Sequence, residues 1–195
     1  MANSSNSTFT IIDIETTGLS KYHDKITEIA AVRIQNGQIV EEFQSLVNPE
    51  TSIPRFITKL TGIDNEMVKD APNIQQVLPS FINFLKDDTF VAHNATFDFG
   101  FLEHNCLKHH NHKLENTKLC TRKLANRLFP QLPRKRLGDL CNHLEIHNSA
   151  AHRAMGDVKA TVGVFHAMLD KMHNYEIQEL HQIVKFERAP KRKQK

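Results

Sequence analysis

No stretch of this 195-residue chain approaches the roughly 20 consecutive apolar side chains that a bilayer-spanning helix needs, which excludes a transmembrane helix. The first eight residues, Met1 to Thr8, are rich in Asn and Ser. They carry neither a basic stretch nor an apolar one and do not read as a secretory signal. Cysteine is scarce. Cys106, Cys120 and Cys141 are odd in number and show no C-x-x-C spacing. That argues against a disulfide framework or a structural zinc site, and points to thiols in a reducing, cytoplasmic compartment. No repeat and no Gly/Ser/Pro-rich linker divides the chain. Apolar residues make up 39% and charged residues 24%, enough for one packed domain rather than a disordered polymer.

A strong charge of one sign is also lacking. The net charge is +3, and its excess sits at the C-terminus. From Glu187 onward, five basic residues face one acid; the other 186 residues hold 20 basic and 21 acidic side chains, a net −1. The expected division is therefore a disordered start over 1–8, one domain over 9–186 and a basic tail over 187–195. The tail suits either nucleic acid or plain solvent.

Phe9 to Glu15 reads as a strand with apolar residues on both parities, as for a strand covered on both faces. Ile26 to Ile34 and Ile39 to Val47 flank Asn36-Gly37, the pair that best accepts positive φ in a two-residue hairpin turn. Past Pro72, the residues Ile74, Val77, Leu78, Phe81, Ile82 and Leu85 recur at helical spacing, with Pro79 expected to kink that helix or shift its start. A short strand at Phe90–His93 precedes a helix over Phe97–Leu107. Further helices are expected around Lys118–Phe129, Leu137–Leu144, from Gly156 past Met172, and over Tyr175–Phe186. Strands first, then alternating helix and strand, make an α/β domain with a mixed sheet.

Several acidic residues stand in awkward places. Asp13 and Glu15, two apart on a strand, share one face among apolar neighbours. Two such charges about 4 Å apart repel by roughly 4 kcal/mol at an effective dielectric near 20. A shared proton, a basic partner or a divalent cation offsets this, unless the pair sits at a solvated strand end; hard oxygen ligands suit Mg²⁺ or Mn²⁺. In Val91-Ala92-His93-Asn94-Ala95-Thr96-Phe97-Asp98, a buried strand runs into a helix with Asp98 in its first turn. Asn94 or Thr96 is available as its cap, and simple dipole compensation would also explain the acid. His152 and Asp157 flank the start of the last long helix, where a histidine can take a proton near neutral pH or merely face solvent. Taken together, four carboxylates and one histidine match a site in which two cations clamp the attacking and leaving oxygens of a phosphoryl displacement.

Three blocks carry a resemblance: Asp13-Ile14-Glu15-Thr16-Thr17-Gly18, His93-Asn94-Ala95-Thr96-Phe97-Asp98, and His152 with Asp157 five positions later. Ile53-Pro54 leading to Thr61-Gly62-Ile63, and Leu137-Gly138-Asp139-Leu140-Cys141, support it. In this order the chain, from about Phe9 to Met172, resembles the DEDDh class of 3′–5′ exonucleases, the proofreading (epsilon) subunits of bacterial DNA polymerase III among them. Gly156 and Val158 beside Asp157 depart from the bulkier residues or Ala usual there.

The resemblance implies a ribonuclease-H-like fold, a five-stranded mixed β-sheet flanked by α-helices. It implies two divalent cations, Mg²⁺ or Mn²⁺, with Asp13 shared between them, Glu15 and Asp157 completing one site and Asp98 supporting the other. His152 would take the proton from the attacking water. Thr16, Thr17 and Gly18 would line the terminal nucleotide, Leu19 and Phe97 would pack on its base, and His93 and Asn94 would contact the strand. The expected partners are a nucleic acid 3′ end, DNA before RNA, and a polymerase or fused nuclease, with no membrane. A 3′–5′ exoribonuclease on the same scaffold and a non-catalytic polymerase adaptor are the alternatives. The triplet Arg134-Lys135-Arg136 suits either a phosphate contact or an ordinary exposed loop.

Overall fold

The computed structural model describes residues 8–148 and 151–189. A five-stranded sheet forms its centre: β1 (Phe9–Thr16), β2 (Ile26–Gln35), β3 (Gln38–Leu46), β4 (Thr89–Ala92) and β5 (Lys118–Cys120), in the order β3-β2-β1-β4-β5. β2 is antiparallel to both β1 and β3; β4 runs parallel to β1 and β5 parallel to β4. Asn36 and Gly37, at φ 51° and 76°, make the two-residue turn whose positive φ angles follow the strand twist. The mixed sheet expected from the sequence is present.

Period-two alternation in β1 divides the core. Phe9 and Ile11 face one layer, with the helices α5 (Thr121–Leu128), α6 (Leu137–His143), α7 (Ala154–His173) and α8 (Leu180–Arg188). Ile12 and Ile14 face the other, with α3 (Ile74–Leu85) and α4 (Ala95–His110). Two short helices, α1 (Arg55–Thr61) and α2 (Asn65–Val68), close a small cluster of Ile53, Ile57, Ile63 and Val68 at the end of β3. Away from the carboxylates singled out above, Arg33 is buried on β2. It donates to Asp88 (2.7 Å), Glu41 and the Phe84 carbonyl, while Thr10 also donates to Asp88 (2.6 Å). The polar groups between β1, β2 and the start of β4 thereby find partners within the protein.

Several expectations need correction. The Lys118–Phe129 run is not one helix: Lys118–Cys120 pairs with β4 as β5, and the helix starts at Thr121. Pro79 neither shifts nor divides α3, which starts behind an Asn73–Gln76 capping box. Proline cannot donate to the carbonyl four residues back, and a ring nitrogen of His110 lies 3.0 Å from that Gln75 carbonyl. Asn94 occupies the N-cap position of α4 at φ 85°, but its side chain makes no capping bond. The last helix extends to Arg188, across the expected boundary at 186. Glu187 is buried there, with Lys123 3.6 Å away and Arg127 donating to its carbonyl. The segment 1–8 up to Ser7, and the tail from Pro190, lie outside the described residues. No helix among the described residues is long and apolar enough to cross a membrane.

Candidate active site

β1 brings Asp13 and Glu15 to the face that α7 covers, and α7 carries Asp157 in its first turn. One carboxylate oxygen from each of the three lies within 4.8 Å of the others. Asp98 arrives from the opposite layer, in the first turn of α4, and is buried. Its Oδ1 accepts from the backbone N–H of Ile14 at 3.3 Å, placing it against β1 between Asp13 and Glu15. The four acids named from the sequence therefore converge. His152 is joined to them through its backbone: its N–H donates to Asp157 Oδ2 at 3.1 Å, its φ is 64°, and its side chain is exposed.

Crowding these carboxylates in a sheltered place makes ionisation costly. Burial, then the charges of Asp98, Glu15, Asp157 and Glu28, hold Asp13 well above the usual range. Burial and the neighbouring carboxylates, Asp157 first, push Glu15 up to about 8 against a smaller opposing effect of Arg153. Burial pushes Asp98 up to about 7, with backbone N–H bonds pulling the other way. Among the described residues no Lys or Arg forms an ion pair with any of the four. A set of unneutralised hard oxygen donors in one small space fits a divalent cation.

Two further residues belong to this setting and were not singled out from the sequence. Glu28 stands opposite Glu15 in the β1–β2 register and is fully buried. Burial raises its pKa, but bonds from Arg153, Gln44 and the Ala154 N–H outweigh that, and the net shift is downward. Arg153 is thus bonded to Glu28 and acts on Glu15 only at a distance, and among the described residues it forms no ion pair with the four clustered acids. A glutamate inside the otherwise buried run Ile26–Val32 was the available signal.

The residues expected to meet substrate fall around this centre in different ways. Thr16 Oγ1 donates to the Gly18 carbonyl at 2.5 Å, and Thr17 exchanges two bonds with Lys25, 2.8 and 2.9 Å. A Cβ on Gly18 would lie 2.5 Å from the Asp24 carboxyl, so a larger residue there would have to displace that side chain. Leu19 is 86% exposed, Asn94 is exposed, and Phe97 is partly buried against Phe101. Both ring nitrogens of His93 are engaged internally, by Thr121 Oγ1 and the Lys135 carbonyl, each at 2.9 Å. The carbonyl can only accept, which puts the proton on Nε2. Burial, with Arg122 assisting, lowers this histidine to about 4 and keeps it neutral. It ties the Arg134–Arg136 loop to the end of β4 rather than offering a free ring atom.

A mixed sheet whose central strand gathers acids near its C-terminal end with those of two helix starts has the arrangement of a ribonuclease-H-like fold. The family model described as Exonuclease matches residues 10–165, and the chain belongs to that family. It is similar in sequence to the epsilon subunit of DNA polymerase III. It is 34% identical over 183 residues to DNA polymerase III subunit epsilon of Aquifex aeolicus, covering 93% of this chain and 91% of that protein. It is 45% identical over 175 residues to the PolC-type DNA polymerase III of Caldanaerobacter subterraneus subsp. tengcongensis, covering 90% of this chain but only 12% of that longer protein. Exonuclease X in complex with 5′ overhanging duplex DNA superposes with a TM-score of 0.73 at 28% identity, covering 92% of this chain and 99% of that one. The nuclease domain of 3′hExo, a DEDDh family member bound to rAMP, shares the fold, with a TM-score of 0.75 at 22% identity, covering 87% and 94%.

Proposed function

We propose that the chain hydrolyses the terminal phosphodiester bond at the 3′ end of DNA, single-stranded or frayed, releasing nucleoside 5′-monophosphates one at a time. The observation that carries this is the meeting of Asp13, Glu15 and Asp157 within 4.8 Å, with Asp98 behind them and, among the described residues, no Lys or Arg in an ion pair with any of the four. Asp13, Glu15, Asp157 and Asp98 would hold two divalent cations, Mg²⁺ or Mn²⁺. When bound, such cations polarise the phosphodiester and stabilise charge on the attacking and leaving oxygens.

The chain's own residues do the rest. Asp157 keeps its carboxylate oriented by accepting from the His152 N–H, and this bond fixes the backbone from which the His152 imidazole reaches solvent. That imidazole takes the proton of the attacking water. The Thr16–Gly18 turn, stiffened by its internal bonds, forms one wall for the terminal nucleotide; Leu19 and Phe97 offer apolar surface to its base, and Asn94 a polar contact to the strand.

The likeness to an epsilon subunit along nearly its full length supports a proofreading role beside a polymerase. A Mycobacterium tuberculosis relative named a putative bifunctional exonuclease/endonuclease protein, 41% identical over 175 residues and matched over 27% of its length, supports a fused nuclease as the alternative setting. A cytoplasmic location goes with either, and the three buried free cysteines agree with it. The test is product analysis on matched, mismatched and RNA 3′ ends with Mg²⁺ or Mn²⁺. Monophosphates released fastest from unpaired DNA ends support this reading; release from RNA alone, or cleavage within the strand, contradicts it.

A further inference from the structure

The turn that leaves β1 beyond Glu15 is an ordered projection laid on α4. Its base is closed by the Thr17–Lys25 bonds, and Asp24 is turned inward, accepting from the Ser20 N–H at 2.8 Å. The outer side of the turn is left cationic and aromatic. Lys21 lies against Gly100, its Nζ 3.9 Å from where a Cβ on that residue would stand. Tyr22, 68% exposed, meets the His104 ring edge-on at 5.2 Å, with the Lys21 ammonium 5.2 Å from the Tyr22 ring centre.

Gly100, His104 and Lys108 follow at four-residue intervals on one face of α4, a stripe of about 12 Å that starts two residues beyond Asp98. Burial, then Lys108, Lys21 and Lys25, lower the pKa of His104; Lys108 follows it by one turn of α4, and Lys21 stands beside Tyr22, whose ring meets His104. Among the described residues none of these lysines has an ion-pair partner. Cations beside an exposed Tyr22 ring and a partly buried His104 ring suit a single-stranded nucleic acid, offering charge for the phosphates and a stacking face for the bases.

We infer that the strip formed by Lys21, Tyr22, Lys25, His104 and Lys108, starting beside Leu19, carries the substrate strand away from the hydrolytic site, binding the unpaired nucleotides upstream of the terminal one. This rests on the exonuclease reading and adds to it a second binding region, specific for single strands longer than the terminal nucleotides. The strip is contiguous with the site by construction: Leu19 follows Gly18 directly, and α4 supplies both Asp98 and the lysine and histidine of the strip. A polymer held here presents its 3′ end to the carboxylates repeatedly, so the strip controls the KM for long substrates rather than the chemical step.

The experiment compares the parent with K21Q/K108Q and Y22A on two substrates, a 12-nucleotide oligothymidylate and the p-nitrophenyl ester of thymidine 5′-monophosphate, across 50–200 mM salt. The expected result is a KM for the oligonucleotide raised about tenfold in K21Q/K108Q. The salt dependence should be shallower by about 1.4 in log–log slope, two lysines at about 0.7 each for a single strand. Hydrolysis of the ester should stay within twofold of the parent. Y22A should raise the oligonucleotide KM without changing the slope. Parent-like KM and slope in both variants would overturn the proposal, and a response in R134Q/R136Q instead would put the strand on the other side of the site. An equal loss on both substrates would also overturn it, by assigning the lysines to the shape of the site. If the parent hydrolyses neither substrate, the exonuclease reading itself fails and takes this path with it.

Discussion

Arg153 grips both carboxylate oxygens of Glu28, Nη2 to Oε1 at 2.9 Å and Nε to Oε2 at 3.2 Å, joining the middle of the sheet to the start of α7 across 125 positions of sequence. The same Oε2 accepts from the Ala154 N–H at 3.1 Å, so one buried acid fixes the backbone immediately after His152. Arg153→Ala leaves that acid buried without its counter-charge. A fully buried pair would lose about 3–5 kcal/mol, and because Arg153 is 37% exposed the expected loss is about 1–3 kcal/mol. Adding Glu28→Gln should recover part of it, since an amide tolerates burial without a cation. Urea denaturation of the two variants measures both; no recovery in the double variant would show that the pair's electrostatics are not what matters.

The crowded carboxylates predict how stability depends on pH when no divalent cation is present. Glu15 titrates near 8 in the folded protein against 4.5 ordinarily, and Asp98 near 7 against 3.8. Between these limits the folded state holds more protons than the unfolded chain, so stability falls as pH rises from about 4 to about 8. Cations compete with those protons and bind better as they leave. Tm in a chelator should therefore decline from pH 5 to pH 8, and the rise in Tm on adding Mn²⁺ should be larger at pH 8 than at pH 6. A Mn²⁺ effect that is greater at the lower pH would contradict the assignment.

The Asp24 carboxyl occupies the space where a Cβ on Gly18 would stand. Gly18→Ala should push the Asp24 carboxyl off the Ser20 N–H and displace the wall formed by Thr16 and Thr17. A loss of about tenfold in kcat/KM is expected, equivalent to about 1.4 kcal/mol. Asp24→Ala in the same chain frees the space and should restore part of the activity; steady-state kinetics of the single and double variants decides.

How far the amino-acid sequence disclosed this arrangement follows from the range of the interactions involved. The hairpin was readable because its determinant is local, two residues that accept positive φ between alternating runs. Asp13, Glu15, Asp98 and Asp157 were noticeable as charge at the end of an apolar run or at a helix start, but each had an ordinary explanation, and only the three blocks together and their resemblance singled them out. β5 was missed because three residues carry no period of their own, and Lys118–Cys120 becomes a strand only by pairing with β4. The short α1 and α2 depend likewise on a cluster assembled from distant residues. Glu28 stood out within its run, but its pairing with Arg153, 125 positions away, has no signature in the sequence. His93, which stands in the second block expected to meet substrate, turns inward because Thr121 and the Lys135 carbonyl, 28 and 42 positions away, are its partners.

The central claim is that carboxylates from β1, α4 and α7 act as one cation-holding centre at a DNA 3′ end. Its most direct test is the time course of a 5′-labelled single-stranded oligonucleotide with Mn²⁺, comparing the parent with Asp13→Asn, which keeps the side chain's size and removes its charge. The expected result is a ladder shortening from the 3′ end in the parent and a rate lower by about a thousandfold, about 4 kcal/mol, in the variant. Shortening at the parental rate in Asp13→Asn would contradict it.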